Sequence, residues 1–138
     1  MATREGAVEV DGARVSYRID GEGPDVVLVH AGVADLRMWD PLVAELAARV
    51  RTVRFDMRGY GRTTSQPGPF WPVADLDALL TQLAIEEATV VGASFGGLVA
   101  LELAAAHPGR VGRLVLLDAL LPDDHDWSEA TDAFFEAE

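Results

Sequence analysis

Uninterrupted apolar runs alternate with helical patterns along most of this chain, and that alternation constrains the fold more than any other feature of the sequence. The run DVVLVHAG, closed by a glycine, is typical of a strand that is buried on both faces of a parallel sheet. A segment with apolar residues three and four positions apart follows each of the first three runs, as crossover helices require. The sequence therefore predicts an α/β fold, with a mostly parallel sheet and helices on both of its faces.

The predicted order of elements is a β-hairpin, then four strands with three helices between them. The hairpin AVEVDGARVSYRIDGEG turns at Asp11-Gly12, a favoured turn dipeptide. The predicted strands are DVVLVHAG, RTVRFD, ATVVGA and VGRLVLLDAL, and the predicted helices are MWDPLVAELAARV, VADLDALLTQLAI and FGGLVALELAAAHP. In the first helix we expect Asp40 to be the N-cap, with Pro41 at the first helical position. The Gly- and Pro-rich segment RGYGRTTSQPGPFWP is expected to be a long loop.

Composition and charge argue against several functions. The formal net charge is −12, from 23 acidic residues against 11 basic ones, which disfavours nucleic acid and anionic membrane surfaces as partners. The chain has no cysteine, so thiolate nucleophiles and cysteine-ligated metal sites are excluded. The three histidines are scattered without ligand spacing, and neither a metal nor another cofactor is implied. No apolar run is long enough to span a membrane, and we expect a cytoplasmic protein.

The segment VVGASFGG, at residues 90–97, places Ser94 in a G-x-S-x-G motif between a predicted strand and a predicted helix. On such a sharp turn the serine hydroxyl projects over the edge of the sheet, which suits a nucleophile. The amide of Phe95 lies at the helix N-terminus, where the positive end of the helix dipole can stabilise a developing oxyanion. A tight turn that merely needs glycine, or a phosphate-binding loop, is the alternative. The chain lacks the Gly-Lys-Ser/Thr of a phosphate loop. A dinucleotide-binding fold is also disfavoured, because the first parallel strand is not followed by G-x-G-x-x-G.

Three motifs in order resemble the N-terminal half of an α/β-hydrolase-fold enzyme. VHAGVADLRMWDPLVAELA resembles the loop and helix after the family's third strand, FDMRGYGRT resembles its Asp-x-Arg-Gly loop, and VVGASFGGLVALELAAAHPGRVGRLVLLD resembles its nucleophile elbow and sixth strand. The resemblance implies that Gly32 supplies the second oxyanion N–H, although Ala31 stands where the family usually has glycine. Because the elbow carries serine, the resemblance implies esterase, lactonase or C–C-bond hydrolase chemistry, and we expect a small ester or lactone to react through Ser94.

The family supplies its catalytic groups in the order Ser, Asp or Glu, His, and the last of these is hard to place in this chain. Asp118, at the end of a predicted central strand, is a candidate for the acid. His125 is a candidate base in the acidic segment PDDHDW, whereas His107 at a helix end and His30 in the first loop are expected to be structural. The histidine that the family carries after its last strand is absent, so we expect full activity to need further segments.

The resemblance also predicts where this chain leaves the family pattern. Residues 1–121 would form the N-terminal part of the hydrolase core, and residues 122–138 an acidic linker and the incomplete first helix of a lid. The fold would be truncated after the family's sixth strand, whose apolar LVLL would then form a sheet edge open to self-association. The sequence therefore leaves two hypotheses: a serine hydrolase, or a catalytically silent half-domain that acts by associating with a complementary chain.

Overall fold

The predicted alternation of strands and helices is present in the computed structural model, which describes residues 3–119. The strands are β1 (Arg4–Val10), β2 (Ala13–Asp20), β3 (Asp25–Val29), β4 (Arg51–Phe55), β5 (Thr64–Ser65), β6 (Ala88–Ala93) and β7 (Val111–Leu117). The α-helices are α1 (Asp40–Leu46), α2 (Pro72–Gln82) and α3 (Phe95–Ala106), with short 3-10 helices at Leu36–Trp39 and Pro108–Arg110. Within the described range, none of the helices combines the length and apolarity that crossing a membrane requires.

The strands form one mixed sheet in the order β1-β2-β4-β3-β6-β7, with β5 paired to β2. Strands β4, β3, β6 and β7 are parallel to one another, whereas β2 pairs antiparallel with β1, β4 and β5. The predicted hairpin is confirmed: β1 and β2 meet at a turn in which Gly12 has φ +75°. Because the parallel strands all end at one edge of the sheet, the loops that follow them share that edge, which we call the carboxyl edge.

Helices cover both faces of the sheet, as predicted. On one face, Leu76, Leu79 and Leu80 of α2 and Leu98 and Leu103 of α3 pack with the valines of the central strands in the larger apolar cluster. On the other face, α1 contributes Val43 to a smaller cluster that contains Trp39 and Leu28. The strand residues alternate between the two clusters, which is the period expected of strands that are buried on both sides.

Two local predictions were wrong. Asp40 is not the N-cap of α1: a 3-10 turn precedes the helix, Trp39 is the cap residue, and the Asp40 carboxylate accepts a hydrogen bond from Arg54 instead. The segment predicted to be a long loop contains the short strand β5, which extends the hairpin by pairing Thr64 and Ser65 with β2. The predicted linker and lid helix at residues 122–138 lie outside the described residues.

Candidate functional site

Ser94 lies at the sharp turn between β6 and α3, in the backbone conformation that its motif predicts. Its φ is +51° and its ψ is −116°, a region that residues with a side chain rarely occupy. The Ser94 N–H donates to the carbonyl of Leu117 at 3.0 Å, so the turn is also fixed to the end of β7. The serine is half-buried at the carboxyl edge of the sheet.

Close approach of three backbone segments explains the glycines around Ser94. A Cβ at Gly96 would lie far inside van der Waals distance of the carbonyl oxygens of Val29 and His30. A Cβ at Gly92 would collide with the backbone of Gly96 in the same way. The first turn of α3 therefore packs directly on the chain that leaves β3, and this contact brings the serine turn against the loop that carries Gly32.

The two amides predicted to form an oxyanion site lie in these touching segments. Phe95 is the first residue of α3, and its side chain is buried in the larger apolar cluster. Gly32 is buried in a turn that is closed by a 3.1 Å hydrogen bond from the Ala34 N–H to the Ala31 carbonyl. Because β3 and β6 are adjacent parallel strands, with Val29 opposite Gly92, both segments leave the sheet side by side at the carboxyl edge.

His30 anchors the start of the Gly32 loop through both of its ring nitrogens. The side chain is fully buried; Nδ1 donates to the Ala31 carbonyl at 2.7 Å, and Nε2 accepts the Met57 N–H at 2.9 Å. This pattern requires the neutral ring, and burial lowers the pKa of His30 against smaller opposing effects of the Ala31 carbonyl and Asp56. The ring is thus committed to holding the loop, in line with the structural role expected of His30.

The end of the same loop is held by two side chains of the chain around β4. The Leu36 N–H donates to Oδ1 of Asp56 at 2.8 Å, and the Leu36 carbonyl accepts from the Arg54 guanidinium at 3.1 Å. Asp56 also accepts the Arg62 N–H at 2.9 Å through Oδ2, which ties the loop after β4 to the same carboxylate. We call this arrangement the Leu36 clamp. It fixes the far end of the Gly32 loop, as His30 fixes the near end.

Arg54 is a buried charged residue that the sequence analysis missed. It is buried in the middle of the sheet, where its guanidinium contacts Asp40 at the start of α1 and lies 3.6 Å from the buried Asp20 carboxylate. An arginine within the apolar run RTVRF was the signal that a buried polar interaction was present. Its position opposite Leu28 on the sheet also places it on the face covered by α1.

Arg58 of the FDMRGYGRT motif has a structural partner in Asp75. Its guanidinium forms a two-pronged, buried ion pair with Asp75 at 2.9 and 3.1 Å and lies over the ring of Phe70. Burial raises the pKa of Asp75, although the contact with Arg58 opposes that rise. Through these contacts Asp56 and Arg58 fix the segments that follow β4.

The candidates for the acid and base lie at different places. Asp118 follows β7, directly after the residue whose carbonyl binds the Ser94 N–H; it is exposed and has φ +48°. His107 follows the C-terminus of α3, about 18 Å along the helix axis from its first residue, and lies 3.7 Å from Asp77. His107 is therefore remote from the serine, as expected, and His125 lies outside the described residues.

Across residues 3–119, no group of three or more histidine and carboxylate side chains is placed to hold a metal ion.

Comparison with known proteins agrees with this geometry. Residues 24–137 match the sequence profile of the alpha/beta hydrolase fold family. The chain is 43% identical over 94 residues to a pimeloyl-[acyl-carrier protein] methyl ester esterase of Aromatoleum aromaticum, covering 68% of this chain and 36% of the esterase. It is 40% identical over 120 residues to the pyrrolizixenacetamide deacetylase of Xenorhabdus hominickii, covering 83% of this chain and 44% of that protein.

Solved structures give the same result. The enol-lactonase of Burkholderia xenovorans LB400 superposes with a TM-score of 0.75 at 37% identity, over 79% of this chain and 45% of the lactonase. The chain thus spans less than half the length of each of these three proteins.

Proposed function

Because the chain belongs to the α/β-hydrolase fold family, we propose that it carries the nucleophile and oxyanion site of a serine hydrolase that acts on a small ester or lactone. The observation that carries the proposal is the backbone of Ser94, held at φ +51° on a turn packed against the exit of β3. A positive φ at a serine costs stability, and strain of this kind concentrates at active sites. The esterase, deacetylase and lactonase named above support acyl transfer to water as the reaction class.

In this proposal each group has one task. The Ser94 hydroxyl attacks the acyl carbon, and the amides of Phe95 and Gly32 donate to the oxygen that becomes negative. The alcohol leaves with a proton, and water then releases the acid from the acyl-enzyme. Asp118 is the proposed acid at the end of β7, and the base is a histidine that reaches Ser94 from outside residues 3–119. The buried His30 is not that base, since both of its nitrogens hold the loop.

The test is covalent labelling of the 138-residue protein with a fluorophosphonate, read by intact mass after circular dichroism confirms a folded chain. Ser94→Ala removes the proposed nucleophile, and Ser65→Ala, at an exposed serine of β5, is the matched control. An adduct that forms on the parent and on Ser65→Ala, but not on Ser94→Ala, supports an activated serine. An adduct that persists on Ser94→Ala rejects Ser94 as the nucleophile, whereas a folded parent that stays unlabelled means that these 138 residues do not supply the base and favours the second function below.

The second candidate function is association through β7, and the exposure of that strand favours it. Among the described residues β7 is the last strand on its side of the sheet, and Val115 and Leu117 are 40% and 44% exposed. An apolar strand at a sheet edge can pair with another chain. We expect light scattering to give a mass above the monomer, and Leu117→Glu to restore the monomer. Val33→Glu, at a residue that is 92% exposed and lies in the loop after β3 instead of on β7, is the control that should leave the mass unchanged.

A further inference from the structure

A polar cleft opens beside the Leu36 clamp and takes no part in the proposed reaction. It has a volume of about 240 Å³ and lies between β1, β2 and the loops after β3 and β4. Sites for drug-sized molecules have volumes of roughly 300 to 1,000 Å³, so this cleft has room only for a ligand of a few non-hydrogen atoms. Its charged lining consists of Arg18, Arg37 and Arg62 with Glu5, Asp35 and Asp56.

The charges in this cleft are not matched one to one. The Glu5 carboxylate serves two guanidiniums: Arg18 at 2.9 Å and Arg62 at 3.8 Å. The Arg62 side chain is 72% exposed, and its contact with Glu5 is long for an ion pair. Arg18 and Arg62 therefore contact a single carboxylate. Their guanidiniums have further N–H donors that can bind a second carboxylate.

The other charged groups of the cleft are already committed. Arg37 binds Asp35 through a two-pronged contact at 2.8 to 3.2 Å and holds the pKa of that carboxyl at about 2. Both oxygens of Asp56 accept backbone N–H groups of the Leu36 clamp and the loop after β4. The unequal sharing of Glu5 is thus the feature that distinguishes this cleft from an ordinary set of surface ion pairs.

We propose that this cleft binds a small carboxylate anion. Arg62 and Arg18 donate hydrogen bonds to the anion, and the Glu5 carboxylate competes with it for the two guanidiniums. The planar fork of an arginine matches the two oxygens of a carboxylate, and all 11 basic residues of this chain are arginines. The lining holds three arginines and three carboxylates, but Arg18 and Arg62 share Glu5, so this trio carries one net positive charge in a chain of net charge −12. The proposal goes beyond the hydrolase function and holds whether or not Ser94 reacts.

The experiment is a titration of the ¹⁵N-labelled protein with sodium acetate, followed by amide chemical shifts and compared with sodium chloride at equal ionic strength and pH 7.5. The expected result is saturable shifts, with acetate only, at Arg18, Arg62 and Glu5. Glu5→Gln removes the competing carboxylate and should tighten acetate binding by about two- to fivefold, whereas Arg62→Gln should weaken it by about the same factor. These opposite changes distinguish a site from a general effect of charge.

The exposed pair Arg14 and Glu9, 3.0 Å apart on the same hairpin, supplies the matched controls. Arg14→Gln changes the net charge as Arg62→Gln does, and Glu9→Gln changes it as Glu5→Gln does, but both should leave acetate affinity within error of the parent. The proposal is overturned if acetate and chloride give the same shifts, if the shifts do not saturate, or if Glu9→Gln tightens binding as much as Glu5→Gln. Because each spectrum also reports folding and Ser94 takes no part, the outcome is independent of the labelling test above.

Discussion

The Met57 N–H donates to Nε2 of His30 at 2.9 Å, and this hydrogen bond joins the loop after β3 to the loop after β4. It requires an unprotonated Nε2, since a protonated nitrogen has no lone pair to accept the bond. The other nitrogen already donates to the Ala31 carbonyl. The loop that carries Gly32 is therefore held by a histidine that must stay neutral.

His30 makes the stability of this protein depend on pH in the weakly acidic range. Burial lowers the pKa of His30 in the folded state below 6.5, so the unfolded chain binds the proton more readily. The free energy of unfolding should therefore fall as the pH drops below about 6.5 toward the lowered folded pKa, by at most about 1.4 kcal/mol per pH unit. Urea unfolding between pH 7.5 and 5 measures this slope.

The control for this prediction is the difference between two histidine variants. His30→Gln should be less stable than the parent at pH 7.5 but should have a shallower slope between pH 6.5 and 5. His107→Gln, at a half-exposed residue beyond the end of α3, removes a histidine without touching the Gly32 loop and is measured alongside. Equal slopes in the parent and in His30→Gln would show that His30 does not titrate as its contacts require.

Arg54 should be far more costly to remove than its exposed partner Asp40. Arg54→Met loses the bond to the Leu36 carbonyl and leaves the buried Asp20 carboxylate without its cation, which costs about 3 to 5 kcal/mol. Asp40→Asn, at a carboxylate that is 57% exposed, should cost at most about 1 kcal/mol. Chemical denaturation of the two variants measures both values.

A double variant separates two parts of the stability that Arg54→Met loses: the contacts of Arg54, and the cost of leaving the Asp20 charge buried without a partner. Adding Asp20→Asn to Arg54→Met should recover part of the lost stability, because the buried negative charge is then absent. Strictly additive losses would mean that Asp20 and Arg54 do not interact, in spite of their 3.6 Å separation.

The sequence was sufficient for the fold and for the position of Ser94 because both depend on local patterns. Apolar runs closed by glycine marked β3 and β6, and the spacing of G-x-S-x-G marked the turn between β6 and α3. It was insufficient for the Leu36 clamp, whose partners Leu36, Arg54 and Asp56 meet only after β3 and β4 are paired. Asp40 shows the same limit: its local pattern predicts an N-cap, but a tertiary contact with Arg54 takes its carboxylate. The predicted role of Asp118 depends on chain outside residues 3–119 and stays a prediction.

Gly96 should tolerate no side chain, because the first turn of α3 touches the exit of β3 at that point. Gly96→Ala places a methyl group against the carbonyl oxygens of Val29 and His30, and backbone cannot move aside as a flexible side chain can. We expect a loss of about 3 kcal/mol or more, at the upper end of the cost of overpacking. Gly109→Ala, where nothing lies within 4 Å of the new methyl, is the control and should be close to neutral. Similar melting temperatures for the two variants would contradict the close packing of this turn.

At position 94, a glycine should make the protein more stable than an alanine does. At φ +51° and ψ −116° a residue with a Cβ bears strain of order 1 to 3 kcal/mol, which glycine relieves, whereas glycine costs about 0.4 to 1 kcal/mol through the entropy of the unfolded chain. Ser94→Gly should therefore be more stable than Ser94→Ala by about 1 kcal/mol, although both lack the hydroxyl. At Ser65, an exposed residue of β5, the order should be reversed, with Ser65→Gly less stable than Ser65→Ala. The same order at both positions would mean that the turn at Ser94 stores no strain, and would remove the observation on which the proposed nucleophile rests.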